Sequence, residues 1–215
     1  MPYMAAHVFL AVAGNIGSGK TTLTRRLVER LGFQGLYEST ADNPYLPDFY
    51  RDMRRWSLAL QLRFLATRVE QTRAAEEGGV SAIQDRTCWE DAEIFAANLH
   101  GRGAMDDRDY ETYRQVAAQL LAGIDPPHLL VYLQRSPASC RAHIASRGRT
   151  YEQSMPPGYL EDLGGRYDRW FEAWALGPKM RVAAADHDFL HSQADLDALV
   201  GRIQAALPQQ LLPFD

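Results

Sequence analysis

One segment constrains the fold of this chain more than any other feature, and it is Gly14-Asn15-Ile16-Gly17-Ser18-Gly19-Lys20-Thr21-Thr22. It matches the phosphate-binding pattern G-x-x-x-x-G-K-[ST]. An apolar run over residues 7–13 precedes it, and apolar side chains at helical spacing follow it as far as Gly32. A glycine loop between a strand and a helix N-terminus offers backbone N–H groups and the helix dipole to a phosphate. The segment therefore predicts a site for ATP or GTP.

The rest of the chain alternates short apolar runs with segments of helical periodicity. The predicted strands are 7–13, 34–38, 80–84, 129–133 and 180–185. The predicted helices after the first are 49–77, 89–100, 109–122, 137–146, 159–176 and 193–206. This alternation predicts an α/β fold with a five-stranded parallel sheet and helices on both faces. No repeat, low-complexity tract or linker interrupts the pattern, so we predict a single domain over residues 1–215.

The composition disfavours several classes of function. A formal net charge of -4 over 215 residues argues against a nucleic-acid-binding surface. The two cysteines, Cys88 and Cys140, form neither a disulfide framework nor a metal-binding pattern, which is typical of a reducing cytoplasm. The N-terminus lacks the features of a signal peptide, and no apolar stretch approaches the roughly 18 residues of a membrane span. We therefore expect a cytoplasmic protein that binds neither nucleic acid nor a membrane.

Charged residues follow three of the predicted strands: Lys20 with Thr21, then Glu38, then Asp85 with Arg86. Ligands of a parallel sheet bind at the carboxyl ends of its strands, so we expect these residues to converge. Phosphoryl transfer needs a Mg²⁺ ligand and often a group that takes the proton of the acceptor hydroxyl. Thr21 and one carboxylate are candidates for the metal, and the other carboxylate is a candidate for the base. A single carboxylate after a strand is also a common helix N-cap.

The two carboxylates also bear on the nature of the phosphate acceptor. A nucleotide acceptor brings a dianionic phosphate that clustered carboxylates repel, whereas a neutral alcohol fits beside them. The pattern therefore favours a nucleoside or another hydroxyl compound, although Arg86 would offset one of the negative charges.

A cluster of arginines follows the fourth predicted strand, with Arg141, Arg147 and Arg149 in a short interval and Gly148 between the last two. Guanidinium groups above a transferring phosphoryl group stabilise its oxygens, which favours a mobile cationic lid over about 147–153. The alternative is an exposed helix end whose arginines only complement the helix dipole.

Five blocks of the sequence, in unbroken order up to about residue 170, resemble the deoxyribonucleoside kinase family. The matching blocks are the phosphate loop, Tyr37-Glu38-Ser39 with residues 43–50, Arg55-Trp56-Ser57 with Gln61, Asp85-Arg86-Thr87 with Asp91 and Phe95, and residues 147–153. The pattern is most similar to that of the bacterial deoxyadenosine/deoxyguanosine kinase branch. The resemblance implies a P-loop kinase fold with an arginine-rich lid.

The resemblance also implies a role for each matching residue. Glu38 would be the base on the 5′-hydroxyl of a deoxyribonucleoside, with Arg86 steadying that site. Thr21 and Asp85 would hold Mg²⁺, and Lys20 would meet the transferring phosphate. The ATP-binding residues would be Gly14, Asn15, Ile16, Gly17, Ser18, Gly19, Lys20, Thr21, Thr22, Arg147, Arg149, Asp188 and Phe189. The nucleoside-binding residues would be Glu38, Tyr50, Gln61, Arg68, Arg86, Asp91, Phe95 and Glu152.

Four of the implied nucleoside contacts divide between the sugar and the base. Tyr50 and Glu152 would hold the sugar 3′-hydroxyl. Gln61 would bond the base edge and Phe95 would stack on the base. On spacing alone, Phe95 would be a core residue and Gln61 a solvated one.

The choice of base depends on Arg68 and Asp91. Arg68 lies two helical turns past Gln61. Arg68 and Asp91 occupy positions where family members that accept purines or deoxycytidine carry an Arg–Asp pair. The resemblance thus implies a preference for deoxyadenosine and deoxyguanosine, with deoxycytidine as a further substrate, over thymidine. Two residues depart from the family pattern: Phe64, one turn from Gln61, and His143, in place of a lid-helix arginine in some relatives.

We therefore predict an ATP-dependent kinase that phosphorylates the 5′-hydroxyl of a deoxyribonucleoside. The alternatives are a thymidylate-kinase-like nucleotide kinase and a non-catalytic, ATP-binding regulatory subunit. Glu38 and Asp85 favour an enzyme, because a regulatory subunit needs no base on the acceptor side. The apolar helices predicted over 49–77 and 89–100 would bury a homodimer face, as in relatives.

Overall fold

A computed structural model describes residues 7–37, 43–189 and 191–208. The strands in these ranges are β1 Phe9–Ala13, β2 Gln34–Leu36, β3 Ala82–Asp85, β4 Leu129–Gln134 and β5 Lys179–Ala183. They form one sheet in the order β2-β3-β1-β4-β5, and all neighbouring strands are parallel. The predicted five-stranded parallel sheet is confirmed, although the strand ends differ from the predicted ones by up to two residues.

The helices lie between the strands, and α9 follows the last strand, as predicted. Their bounds are α1 Lys20–Leu31, α2 Leu46–Arg51, α3 Met53–Gly78, α4 Cys88–Glu90, a π-helical segment Asp91–Ala96, α5 Ala97–Gly101, α6 Asp107–Leu121, α7 Pro137–Arg147, a 3₁₀ segment Thr150–Ser154, α8 Tyr159–Ala173 and α9 Gln193–Ala206. None of these helices is both long and apolar enough to cross a membrane.

Alternate residues of the central strand divide between two hydrophobic cores. Ala11 and Ala13 of β1 belong to the core that contains side chains of α3, α6 and α8. Leu10 and Val12 belong to the other core, with side chains of α1 and α9. Because successive side chains of a strand point to opposite faces, this division means that helices cover both faces of the sheet. The predicted arrangement of layers is confirmed.

Two predicted helices differ from the observed ones. The helix predicted over 49–77 is interrupted at Asp52, whose backbone is not helical and whose side chain accepts a hydrogen bond from the Arg55 N–H at 3.0 Å. Asp52 thus caps the N-terminus of α3, because its short carboxylate satisfies an otherwise unpaired N–H. The helix predicted over 89–100 contains the π-helical segment, which carries both Asp91 and Phe95. Single π-helical turns often occur at functional sites.

Candidate active site

The phosphate loop crosses from β1 to α1 in a conformation that requires its glycines. Gly17 has a φ of 77°, and a Cβ there would lie 2.5 Å from the carbonyl oxygen of Cys140. Gly19 has a φ of 97° and is the N-cap of α1, where no side chain caps the helix. The backbone therefore comes close to α7, and the N–H groups at the start of α1 are left for a ligand.

Lys20 and Asn15 stabilise this loop from within. The Lys20 ammonium is buried and donates a hydrogen bond to the Asn15 carbonyl oxygen at 3.3 Å. The Asn15 side chain accepts from the Ile16 N–H at 2.8 Å and donates to the Leu160 carbonyl oxygen at 2.9 Å. Asn15 thus connects the loop to α8, and its side chain has a structural role in this geometry.

Two cavities meet at the phosphate loop. The first, called the small cleft, has a volume of about 170 Å³ and includes Tyr50, Gln61 and Phe95 in its lining. The second, called the large cleft, has a volume of about 710 Å³ and includes Asp188 and Phe189. The residues that line both clefts are Gly17, Lys20, Thr21, Arg25, Arg147 and Arg149. A phosphoryl group bound at the loop would be accessible from both cavities.

Most of the predicted ATP-binding residues line the large cleft. They are Gly17, Ser18, Gly19, Lys20, Thr21, Thr22, Arg147, Arg149, Asp188 and Phe189. Ile16 instead lines the small cleft, and Gly14 and Asn15 are absent from both linings among the described residues. Gly14 and Asn15 thus support the loop from behind in this geometry, because the following glycines bring the backbone to the cavity.

Two arginines that sequence reasoning missed also line the large cleft. Arg135 donates from Nε to the Ser18 carbonyl oxygen at 2.8 Å, so it braces the phosphate loop. Arg25 lies one helical turn past Thr21 in α1 and faces both clefts. The available signal for Arg135 was its position directly after β4, at the same sheet edge as the other charged strand ends.

Thr21, in the first turn of α1, lies next to Asp85, the last residue of β3. The Thr21 hydroxyl donates to Asp85 Oδ2 at 2.5 Å, while the buried Asp85 Oδ1 has no hydrogen-bond partner among the described residues. No cluster of three or more His, Cys, Asp or Glu side chains in the described ranges forms a complete metal site. A hydroxyl and one carboxylate fit Mg²⁺, which binds nucleotides through few protein ligands together with phosphate oxygens and water.

Arg86 follows Asp85 in a strained backbone conformation. Its φ is 76°, which is unusual for a residue other than glycine, and its side chain is buried. The guanidinium carbon lies 4.1 Å from the ring centre of Phe95. Arg86 thus forms a cation–π contact with the aromatic wall of the small cleft.

The small cleft combines an apolar wall with a few polar groups. The side-chain oxygen Oε1 of Gln61 is buried and has no hydrogen-bond partner within the described part of the chain. Tyr50 stacks on Tyr151, with the ring centres 5.7 Å apart. Burial, and then the neighbouring Tyr159 and Glu152, hold the pKa of Tyr50 well above its usual range, so its hydroxyl stays neutral. An apolar cavity with such polar groups is typical of a small-molecule site.

Glu152 is held by the two lid arginines. Arg147 donates to its carboxylate at 2.6 Å and 3.3 Å, and Arg149 lies 3.6 Å from it. The carboxylate is buried, whereas both arginines are partly exposed. In this state the lid arginines neutralise Glu152, and the same side chains border both clefts.

Arg68 and Asp91 form a buried ion pair between α3 and the π-helical segment. Their side chains are 3% and 1% exposed. Neither belongs to the lining of the small cleft as far as the described residues define it. Phe64 does line the cleft, and its ring centre lies 5.2 Å from the Arg68 guanidinium carbon. The ion pair thus lies behind Phe64, next to the small cleft, and neither of its side chains is part of the lining of that cleft.

Glu38, the predicted base, lies outside the described residues, and its role stays a prediction. Its neighbour Tyr37 follows β2 and lines the small cleft.

Among the described site residues, the fold brings together those at the ends of β1, β2 and β3, as the sheet order requires. A P-loop flanked by two clefts that share Lys20, Thr21 and three arginines is the arrangement expected of a phosphotransferase.

The comparisons with known proteins identify which phosphotransferase family this is. The family model "Deoxynucleoside kinase" matches residues 10–208. The deoxyadenosine/deoxycytidine kinase of Bacillus subtilis (strain 168) is 34% identical over 200 residues, which cover 92% of each chain. A deoxyguanosine kinase of Lactobacillus acidophilus is 34% identical over 96% of this chain and 94% of its own length. The structure of deoxyadenosine kinase from M. mycoides with bound dATP has a TM-score of 0.81 and 25% identity, and the match covers 92% of this chain and 100% of that one.

The chain therefore belongs to the deoxynucleoside kinase family, and it is an enzyme that phosphorylates deoxynucleosides. This assignment confirms the kinase interpretation over the nucleotide-kinase and regulatory-subunit alternatives.

Proposed function

We propose that this enzyme transfers the γ-phosphoryl group of ATP to the 5′-hydroxyl of a purine deoxyribonucleoside. One observation carries the proposal: the small and large clefts share Lys20, Thr21 and the lid arginines. The large cleft would hold ATP and the small cleft the nucleoside, so that the donor phosphate and the acceptor hydroxyl meet over the phosphate loop. Such positioning supplies much of the catalysis in phosphoryl transfer.

On the donor side, the loop N–H groups and Lys20 would bind the ATP phosphates, and Arg147 and Arg149 would close over them. Thr21 and Asp85 would hold the Mg²⁺ ion that neutralises charge on the donor phosphates. Asp188 and Phe189, in the lining of the large cleft, would lie near the adenine. Arg147 and Arg149 contact Glu152 in this structure. To bind ATP they would release Glu152 and contact phosphate oxygens instead.

On the acceptor side, Glu38 would take the proton of the 5′-hydroxyl, and Arg86 would orient this hydroxyl. Tyr50 and the released Glu152 would bind the sugar 3′-hydroxyl. Gln61 would bond the base edge, which gives its buried side-chain oxygen a partner. Phe95 would pack against the base.

The buried Arg68–Asp91 pair supports the purine preference. A charged, hydrogen-bonding pair beside the base site suits a base with an exocyclic amino group. The names of the relatives, deoxyadenosine/deoxycytidine kinase and deoxyguanosine kinase, agree with this preference and leave deoxycytidine as a further substrate.

We further propose that residues 1–215 form a single domain with a lid at about 147–153, and that the protein is a cytoplasmic homodimer. The free, buried thiols of Cys88 and Cys140 support a reducing compartment. The proposed dimer face is formed by α3 and the helical stretch over residues 89–100, which comprises α4, the π-helical segment and α5. Size-exclusion chromatography with light scattering would test it, and a monomeric mass would contradict it.

The reaction is tested with radiolabelled ATP, Mg²⁺ and a panel of deoxynucleosides and their monophosphates. We expect label on the 5′-position of deoxyadenosine and deoxyguanosine, and little on thymidine or on any monophosphate. The Lys20→Ala variant should lose most of this activity, because the Lys20 charge meets the transferring phosphate in a buried site. Near-normal turnover by a folded Lys20→Ala enzyme would refute the role of the phosphate loop.

A further inference from the structure

Glu90 is a fully buried carboxylate that none of the proposed roles uses. It lies in α4, between Asp85-Arg86 and Asp91 in the chain, and its exposure is 0%. Burying an ionised carboxylate is unfavourable unless cations and hydrogen-bond donors surround it. Its contacts therefore indicate what the side chain does.

Three donors bind the Glu90 carboxylate, and they come from three separate parts of the fold. Oε2 accepts from the Thr87 N–H at 2.6 Å, in the turn after β3. Oε1 accepts from the Tyr167 hydroxyl of α8 at 2.8 Å and from the Gly14 N–H at 3.4 Å. Gly14 is the first residue of the phosphate loop. One side chain thus connects the loop, the Asp85-Arg86 turn and the helix that follows the lid.

The charge of Glu90 lies among buried cations of the site. Burial raises the pKa of Glu90, while the positive charges of Arg86 and Lys20 lower it and favour the carboxylate form. Lys20 and Arg86 are themselves buried, so an anion close to both offsets the cost of their burial.

Glu90 also supports the strained backbone at Arg86. The Arg86 N–H donates to the Val12 carbonyl oxygen at 3.0 Å, and the next N–H, of Thr87, donates to Glu90. Both peptides that flank the positive φ of Arg86 are thus held. A strained conformation persists only where its surroundings fix it in this way.

We infer that Glu90 is a positioning residue for phosphoryl transfer, which holds the first residue of the phosphate loop and the Arg86 turn in one fixed arrangement. The inference rests on the proposed roles of Lys20 and Arg86. Glu90 lines neither cleft among the described residues, so its effect is expected on turnover more than on nucleoside binding.

The test is the Glu90→Gln variant. The amide oxygen can still accept from Thr87, and the Tyr167 hydroxyl can rotate to accept from the amide. The Gly14 N–H loses its acceptor and the site loses a negative charge. We expect kcat to fall by about 10- to 100-fold, as for small misplacements of reacting groups. The KM for deoxyadenosine should stay close to that of the wild type.

Two control variants separate positioning from stability. Glu93→Gln makes the same chemical change three residues further on, at an exposed side chain. Tyr167→Phe removes one hydrogen bond to Glu90 and leaves its charge and its contact with Gly14. Both should keep kcat near the wild-type value, with thermal unfolding recorded for each variant.

Wild-type kcat in a folded Glu90→Gln enzyme would overturn the inference. The inference would also be overturned if Tyr167→Phe lost as much kcat as Glu90→Gln and had the same fall in Tm. Both losses would then follow from weakened packing and not from the position of the phosphate loop. If Glu90→Gln does not fold, Glu90→Asp replaces it in the test. Aspartate keeps the charge, but its side chain is one methylene shorter, so the carboxylate moves away from Gly14. We then expect Glu90→Asp to lower kcat by about 10- to 100-fold, and an unchanged kcat would overturn the inference.

Lys20→Ala, assayed in parallel, separates this inference from the proposed function. Activity retained in Lys20→Ala would refute the proposed function itself. An inactive Lys20→Ala enzyme beside a normal Glu90→Gln enzyme would refute only the role of Glu90.

Discussion

Replacing Arg68 and Asp91 together tests how this enzyme selects its base. The pair is buried, with side chains 3% and 1% exposed, so water cannot solvate either charge if its partner is lost. Removing one partner of such a pair costs about 3–5 kcal/mol. For a chain of this size, this loss corresponds to a fall in Tm of roughly 6–20 °C. Arg68→Met or Asp91→Ala alone should therefore lower stability and activity towards every substrate.

The double variant Arg68→Met, Asp91→Ala should behave differently, because neither charge of the pair then stays buried without its partner. Replacing a buried ion pair by apolar groups is often neutral for stability. Most of the Tm lost in the single variants should return. If the pair selects the base, the double variant should also shift substrate preference towards thymidine. Its neutral pocket no longer offers a hydrogen-bond partner to an amino group at the base edge.

The assay is kcat/KM for deoxyadenosine, deoxyguanosine, deoxycytidine and thymidine in the wild type and in all three variants. The matched control is Arg30→Met, Asp197→Ala, which removes an Arg–Asp pair of 2.9 Å whose side chains are about half exposed. An exposed pair contributes little to stability, so this control should change neither Tm nor substrate ranking appreciably. An unchanged ranking in the double variant at Arg68 and Asp91 would refute the base-reading role. Selectivity would then come from the walls of the small cleft, including Phe64.

Three further substitutions test individual roles. Glu38→Gln should lower kcat by about 10²–10⁴-fold with little change in nucleoside affinity, since the amide cannot take the proton. If Glu38→Gln loses only a few-fold in kcat while Asp85→Asn is inactive, Asp85 would be a better candidate for the base than Glu38. If Asp85 binds the metal instead, Asp85→Asn should raise the Mg²⁺ concentration needed for half-maximal activity, and an unchanged Mg²⁺ titration would contradict that role. Gln61→Leu should raise the KM for deoxyadenosine roughly 2- to 10-fold, the equivalent of one neutral hydrogen bond. It should not lower Tm, because the buried Oε1 of Gln61 has no partner among the described residues in the free enzyme. A large fall in Tm would indicate a structural role.

The order of strands and helices, and the phosphate loop, could be predicted from the sequence. These features depend on interactions within a few residues. Gly17 and Gly19 permit backbone conformations that other residues adopt only with strain, and the spacing of apolar residues determines which face of a strand or helix is buried. The interruption at Asp52 was missed, although its N-cap signal is local, because the apolar spacing continues across it.

The charged contacts within the site were decided by the tertiary structure. Three hydrogen bonds join residues that are far apart in the chain. Gly14 and Glu90 are separated by 76 residues, Ser18 and Arg135 by 117, and Asn15 and Leu160 by 145. The capping box of Thr87 with Glu90 is a local signal, but it does not show that Glu90 is buried against Gly14 and Tyr167. The cost of burying a charge depends on the donors and cations that surround it, and packing between distant elements brings these together. The sequence by itself thus determined where phosphate binds, and the packing of β3, the π-helical segment, α7 and α8 determined which charges hold that site in place.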